Sequence, residues 1–329
     1  MANVLNIGAQ FRAVKTGSLQ APFNSGQVST IELPRSLFFK KLYLRLSGTI
    51  SVTVGGTAVV AEAPLRLIRK IEIVGDGVKT LISRTANDLF REMHILEGKQ
   101  PELTGPAGFG IQANTPIAAL IPIPFEAVRM RSPVDSYLDP RGYESLQLRI
   151  TWGAITDIIT GGTATVNAGT IVDVLAEQTI AGEANIAFRR ILTYDENAIA
   201  GVSSALTFNI PRNGLLAGIL FHADVDGVPN DALINSLTIK SDNTNLHADR
   251  LVWETFRKAN VMDFNLDSSV FGSGINGYVY LNFCEDGMLS SALNTYNLNT
   301  LQVIYDCNAP GAVRFVRQSY VFYEPIQVG

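Results

Sequence analysis

From Val28 onward the chain reads as β structure. Leu42, Leu44 and Leu46 alternate with Lys41, Tyr43, Arg45 and Ser47, the period of a half-buried antiparallel strand. Gly55-Gly56 predicts a hairpin between residues 49–54 and 57–61, and Asp76-Gly77 one between 67–74 and 78–83, because both pairs tolerate positive φ. Residues 117–125 read as a strand, Leu146, Leu148, Ile150 and Trp152 alternate inward, and Gly161-Gly162 marks a further hairpin. Residues 184–194 supply another strand. Leu89, Phe90, Met93 and Leu96 predict a helix over 86–97, opened by Asn87 or Asp88 and stopped by Gly98. A second helix is expected over 249–258, with Leu251, Val252, Thr255 and Phe256. Residues 1–27 lack clear periodicity; they read as an arm lying on something else, such as a neighbouring subunit, or as a tail.

The chain writes this programme twice. Ile31-Glu32-Leu33-Pro34-Arg35-Ser36 returns as Phe208-Asn209-Ile210-Pro211-Arg212-Asn213, each time ahead of a longer apolar strand. Neither proline can donate to a ladder, so both belong at strand ends. Ile68 to Ile73, closed by Asp76-Gly77, returns as Ile234 to Ile239, closed by Asp242-Asn243. Asp88-Leu89-Phe90-Arg91-Glu92 returns as Arg250-Leu251-Val252-Trp253-Glu254, and Ser145-Leu146-Gln147-Leu148 as Thr300-Leu301-Gln302-Val303. Phe188-Arg189-Arg190 with Tyr194 is matched to Phe315-Val316-Arg317 with Tyr323. Five correspondences in one order predict two copies of one fold, 28–198 and 199–329, with longer loops in the first. Residues 195–203 would link them.

Composition then narrows the class. A chain of 329 residues suits two cores rather than one. Charged residues are 17% and apolar ones 47%, yet the most apolar stretch, 117–125, is too short to span a membrane and carries Pro122 and Pro124. Residues 1–17 hold no long apolar run, so a secretory signal is not expected. The low charge fits surface buried against other subunits, or simply large cores. Residues 1–198 carry net +1 and the remainder −5, so neither half offers a basic nucleic-acid surface. Only the start leans basic, with Arg12, Lys15, Arg35, Lys40 and Lys41 against Glu32.

Candidate chemistry is sparse. His94, His222 and His247 share no metal-ligand spacing. No nucleophile elbow, phosphate loop or Cys-x-x-Cys occurs, so no enzymatic site, cofactor or tightly bound metal is expected. Asp224 and Asp226 flank a turn before Gly227 and could hold Ca²⁺, although a solvated turn is the expected reading. Tyr278 and Tyr280 share a strand face that could stack on a sugar, but packing is the commoner fate. Cys284 and Cys307 differ in parity relative to their apolar neighbours, which disfavours a disulfide and points to reduced thiols in an intracellular product. A third Pro-Arg pair, Pro140-Arg141, lies outside the repeat. Arg35 and Arg212, at repeated positions, are expected to pair with loop carbonyls or a neighbour's carboxylate. The long loops 99–115 and 126–143 are functional or interfacial candidates.

About eight strands and one short helix per copy fit an all-β chain of two tandem eight-stranded jelly rolls, each a β-sandwich. Leu33-Pro34-Arg35-Ser36 with the strand over 42–48, Pro64 to Ile73, and their second-copy partners resemble the double jelly-roll major capsid proteins of tailless, membrane-containing icosahedral bacteriophages, the lineage that includes adenovirus hexon. The resemblance covers nearly the whole chain from Val28. It implies a homotrimer of pseudo-hexagonal outline that meets neighbouring capsomers and penton or minor capsid proteins. It also implies an N-terminal arm near an inner viral membrane, towers built from loops such as 99–115 and 126–143, and a product made in the host cytoplasm that ends in the virion. A carbohydrate-binding or glycan-processing jelly roll is the rival; a viral spike or minor coat protein is a third reading.

Overall fold

The computed structural model describes residues 12–58, 62–105, 108–131, 136–180, 188–242, 244–246, 250–267, 269 and 274–322. They form two compact units, the first from Met1–Ala86, Glu102–Arg190 and Phe322–Gly329, the second from Asn87–Pro101 and Ile191–Val321.

The first unit holds β1 (Arg12–Pro22), β2 (Val28–Glu32), β3 (Phe38–Val54), β4 (Gly56–Ala58), β5 (Ile68–Gly75) and β6 (Lys79–Arg84). Further along come β7 (Leu103–Thr104), β8 (Gly108–Phe109), β9 (Gln112–Pro124), β10 (Leu146–Trp152), β11 (Ile159–Thr160), β12 (Thr163–Val166) and β13 (Ile171–Ile180). One sheet runs β1-β13-β3-β9-β7; the order β6-β5-β10-β2 forms the other face. Leu42, Leu44 and Leu46 of β3, Ile121 and Ile123 of β9, and Leu148 and Ile150 of β10 are wholly buried, because alternation sends every second side chain into the core. Pro122 and Pro124 fit β9 because β7 pairs only Ala118 and Ala119, which leaves the proline end of β9 as a sheet edge.

Several expectations are corrected here. Residues 12–22 are no arm: β1 pairs antiparallel with β13, and residues 1–11 lie outside the described residues. β3 runs unbroken to Val54, and β4 pairs with β11 and β8 instead of folding back as a hairpin. Gly56 serves close approach: a Cβ there would stand 2.7 Å from the Thr160 carbonyl oxygen. Likewise Gly161-Gly162 joins β11 to β12, which pairs with β3, so that turn hands the chain to a different partner. The Asp76-Gly77 hairpin between β5 and β6 is as expected, with φ of 52° and 73°.

The second unit holds α1 (Ala86–Glu97, from its second residue), the end of β14 (Phe188–Ile199), β15 (Ser203–Asn209), β16 (Leu215–Val225), β17 (Val228–Pro229) and β18 (Ile234–Ser241). It continues with β19 (Thr244–Asn245), β20 (Leu251–Val252), α2 (Trp253–Asp263), β21 (Tyr278–Asn282), β22 (Leu293–Asn294), β23 (Gln302–Cys307) and β24 (Gly311–Phe322), the last residue of β24 counting with the first unit. β15-β23-β18-β19 form one sheet; β17-β16-β24-β14, with β21 and β22 also on β16, form the other. Phe315, stacked on Phe208 at 4.2 Å, sits in a core with Phe221, Trp253, Val303 and Tyr305. α1 has its predicted bounds but groups with this unit, held by Asp88 against His222 and Arg314. α2 begins at Trp253, later than expected, because Leu251 and Val252 pair with β18. Asn260 on α2 donates to the Tyr280 carbonyl and accepts from the Tyr280 N–H, so the helix covers an edge of β21.

The units repeat one topology. β2-β10-β5 answers β15-β23-β18, and β13-β3-β9 answers β24-β16-β21. β24 therefore corresponds to β13, and the matching of Phe188-Arg189-Arg190 to Phe315-Val316-Arg317 is corrected: β14 lies beside β24, where β1 lies beside β13. The expected linker over 195–203 is also partly strand, since β14 continues to Ile199.

Candidate functional site

The repeated arginines are backbone anchors. Arg35 Nη1 donates to the Tyr143 carbonyl at 2.6 Å, and Arg212 Nη1 donates to the Leu298 carbonyl. Each acceptor lies three residues before the strand residue, Leu146 or Leu301, whose carbonyl takes the N–H of Leu33 or Ile210 at 2.8 Å. The repeated aspartates complete the arrangement. Asp76 accepts from the N–H groups of Glu144 and Ser145, and Asp242 from those of Asn299 and Thr300. The loop-carbonyl role expected for Arg35 and Arg212 is met within each unit. Lys40 and Lys41 pair with Glu177 and Glu126 at 3.0 and 3.4 Å, which neutralises much of the basic start.

A buried charged cluster lies in the second unit. Asp88, fully buried on α1, meets His222 Nδ1 at 2.8 Å and Arg314 Nη1 at 3.1 Å. Arg314 also reaches Asp224 at 3.1 Å and Glu196 at 3.3 Å. Burial, and then the charge of Arg314, push the His222 pKa down despite Asp88. The imidazole is therefore neutral near pH 7, and its contact with Asp88 is an Nδ1–H hydrogen bond rather than an ion pair. For Arg314 burial likewise pulls the pKa down and is the largest single influence, but Asp88, Tyr278 and Asp224 acting together outweigh it and the pKa is raised. His222 stacks on Tyr278 at 4.1 Å.

This placement settles most candidates. Asp224 is buried and accepts from Gly227 N–H while Asp226 is exposed, so the two diverge and the solvated-turn expectation fails for Asp224. Tyr278 and Tyr280 are each 2% exposed, in packing positions. His94 is buried against Arg91, whose Nη1 lies 3.0 Å from its Nδ1. His247 lies outside the described residues. Cys284 and Cys307 are unpaired and buried, and burial raises the Cys284 thiol to about 12. Among the described residues no group of three or more His, Cys, Asp or Glu is placed to hold a metal. Sequence reasoning missed the Asp88–His222–Arg314 cluster, since its members are separated by up to 226 residues.

One surface feature remains. On the outward face of the first unit, Tyr43, Arg45, Leu120, Asp173 and Leu175 line a groove of about 510 Å³. Tyr43 lies opposite Leu175, and Arg45 lies between Leu120 and Asp173, across β13, β3 and β9.

No protein-family model and no curated protein matches the chain. Solved structures do. A chain of the Sulfolobus turreted icosahedral virus structure superposes with a TM-score of 0.77 at 14% identity, over 96% of this chain and 92% of that one. The major capsid protein P2 from bacteriophage PM2 gives 0.64 at 14%, over 95% and 99%. The Faustovirus major capsid protein gives 0.65 at 10%, over 98% and 92%. Identities this low speak for the fold, and over nearly the full length of each chain the fold is theirs: the protein is an all-β double jelly roll of the kind found in viral major capsid proteins.

Proposed function

We propose that the chain is the major coat protein of an icosahedral virion, a homotrimer that tiles the shell beside copies of itself. One observation carries the reading: the likeness to capsid proteins spans both units and almost all of each partner chain. Three chains of two similar sandwiches present six similar sides, so a near-hexagonal capsomer follows from the duplication, closed by heterologous contacts. Positions of five-fold symmetry cannot take such a piece and call for penton or minor capsid proteins. The low charge fraction suits surfaces buried between subunits. With β1 inside the first unit, the arm facing neighbours or an inner viral membrane shortens to the residues ahead of Arg12. Synthesis belongs to the host cytoplasm and residence to the virion, and the role needs no enzymatic centre. The sugar-binding reading loses its motive, because Tyr278 and Tyr280 are buried.

The test is light scattering on purified full-length chain, followed by electron microscopy of its assemblies. The expected mass is three times 35.6 kDa, in particles of hexagonal outline. A chain that stays monomeric at high concentration overturns the proposal.

A further inference from the structure

We infer that the groove on the outward face of β13, β3 and β9 receives the N-terminal segment of a second copy of this chain. The inference rests on the self-assembly proposed above and names the surface and segment involved.

The groove has an apolar floor. Tyr43, Leu120 and Leu175 are half-buried on the sheet face opposite the one that carries the buried Leu42, Leu44 and Leu46, and Arg45 between them is exposed. Its two charges already have partners: Arg45 donates to Glu102 at 3.2 Å, and Asp173 accepts from Gln20 at 2.8 Å. An occupant of the floor needs apolar side chains and no charge. Residues 1–11 carry no charged side chain, and although residues 1–27 as a whole show no clear period, within them Leu5, Ile7, Ala9 and Phe11 alternate with Asn6, Gly8 and Gln10. That is the pattern of a strand with one apolar face. A strand of this kind is stable only where that face is covered.

The exit of the chain decides between its own groove and a neighbour's. Arg12 pairs with Ile180, at the far end of β13 from Asp173 and Leu175. Followed toward the N-terminus, the chain leaves β1 heading away from the groove. Five residues of β13, about 17 Å, separate Ile180 from Leu175. Return to its own groove would require a reversal just before Arg12 that takes Phe11 and Ala9 out of the apolar face. Carried straight on, eleven extended residues reach about 36 Å, enough to lie across an adjoining molecule.

The experiment uses full-length chains with single cysteines. Ile7→Cys and Leu120→Cys proteins are mixed, oxidised mildly and run on a non-reducing gel; the native Cys284 and Cys307 are 3% and 1% exposed and stay out of the reaction. The expected product is a disulfide-linked dimer, at least ten-fold more abundant than that formed when Ile7→Cys is mixed with Val228→Cys on the second unit. Leu175→Cys repeats the measurement should Leu120→Cys fail to fold. Equal yields with Val228→Cys, or no dimer, overturn the inference. So does an intrachain product in an Ile7→Cys/Leu120→Cys double variant without interchain dimers, which would place the segment on its own chain. Trimers by light scattering without the cross-link remove this inference and leave the coat-protein reading; monomers remove that reading by a separate measurement.

Discussion

Arg35 holds Tyr143 by its carbonyl oxygen, 2.6 Å from Nη1, and Arg212 holds Leu298 in the same way. One guanidinium in each unit thus fixes the loop that feeds a central strand, β10 or β23, and does so beside a proline that ends its own strand. This gives the repeated Pro-Arg pair a physical reason: proline stops the ladder, and the next side chain ties the stop to the neighbouring strand.

Replacing Arg35 or Arg212 by methionine keeps most of the packing and removes the charged donor. Each change should cost about 1 kcal/mol, the lower range for such bonds because both side chains are largely exposed. Urea unfolding followed by circular dichroism measures it. A lysine replacement that restored full stability would show that charge, rather than the guanidinium's reach, is what matters.

Asp76 and Asp242 sit in left-handed turns, at φ of 52° and 49°, and their carboxylates cap the same two loops. The N–H groups of Asn299 and Thr300 hold the Asp242 pKa below its usual value; for Asp76 desolvation opposes the shift, but the N–H groups of Glu144 and Ser145 together with Lys79 outweigh it. A depressed carboxylate contributes stability above its unfolded pKa, near 4, and loses it as pH falls toward the folded value. Asp242→Asn, which still tolerates left-handed backbone, should be less stable than wild type at pH 6, with the gap closing below about pH 4. Thermal melts across that range test it, and a gap that persists at pH 2 refutes it.

Phe315 is wholly buried and meets Phe208, Phe221 and Tyr305 with ring centroids 4.2 to 5.8 Å apart. Phe315→Ala should cost about 3–5 kcal/mol. Hydrogen exchange should show the loss in β16, β23 and β24 first.

What could be read from the sequence depended on how local its cause was. The Asp76-Gly77 hairpin and α1 were legible because turn chemistry and helical spacing act within a few residues. Gly55-Gly56 misled because Gly56 answers to Thr160, over a hundred positions away, through close approach rather than turning. Phe188-Arg189-Arg190 was matched to the wrong strand because an apolar residue followed by arginines fits β14 and β24 equally well. β1 has no legible strand signal because Arg12–Pro22 shows no regular alternation of apolar and polar residues. The Asp88–His222 pair had no spacing to betray it, its members standing 134 residues apart.

That pair supplies the last prediction. His222 is a buried neutral donor to Asp88, with burial and then Arg314 lowering its pKa. Asp224 and Glu196 face the same Arg314, and Tyr278 stacks on the ring, so the charged and titratable groups around the imidazole come from β14, β16, β21, β24 and α1. A histidine whose folded pKa is depressed binds its proton more readily when unfolded. Its stabilising contribution is therefore complete above the unfolded pKa, about 6.5, and falls as pH drops below it. Wild-type protein should lose stability between pH 7 and pH 5, and His222→Gln should flatten that slope while costing about 1–3 kcal/mol at pH 7 through the altered bond to Asp88. Urea titrations at pH 7, 6 and 5 on both proteins decide the matter. Parallel slopes would mean that His222 does not govern the acid response, and a slope that steepened in the variant would reverse its sign.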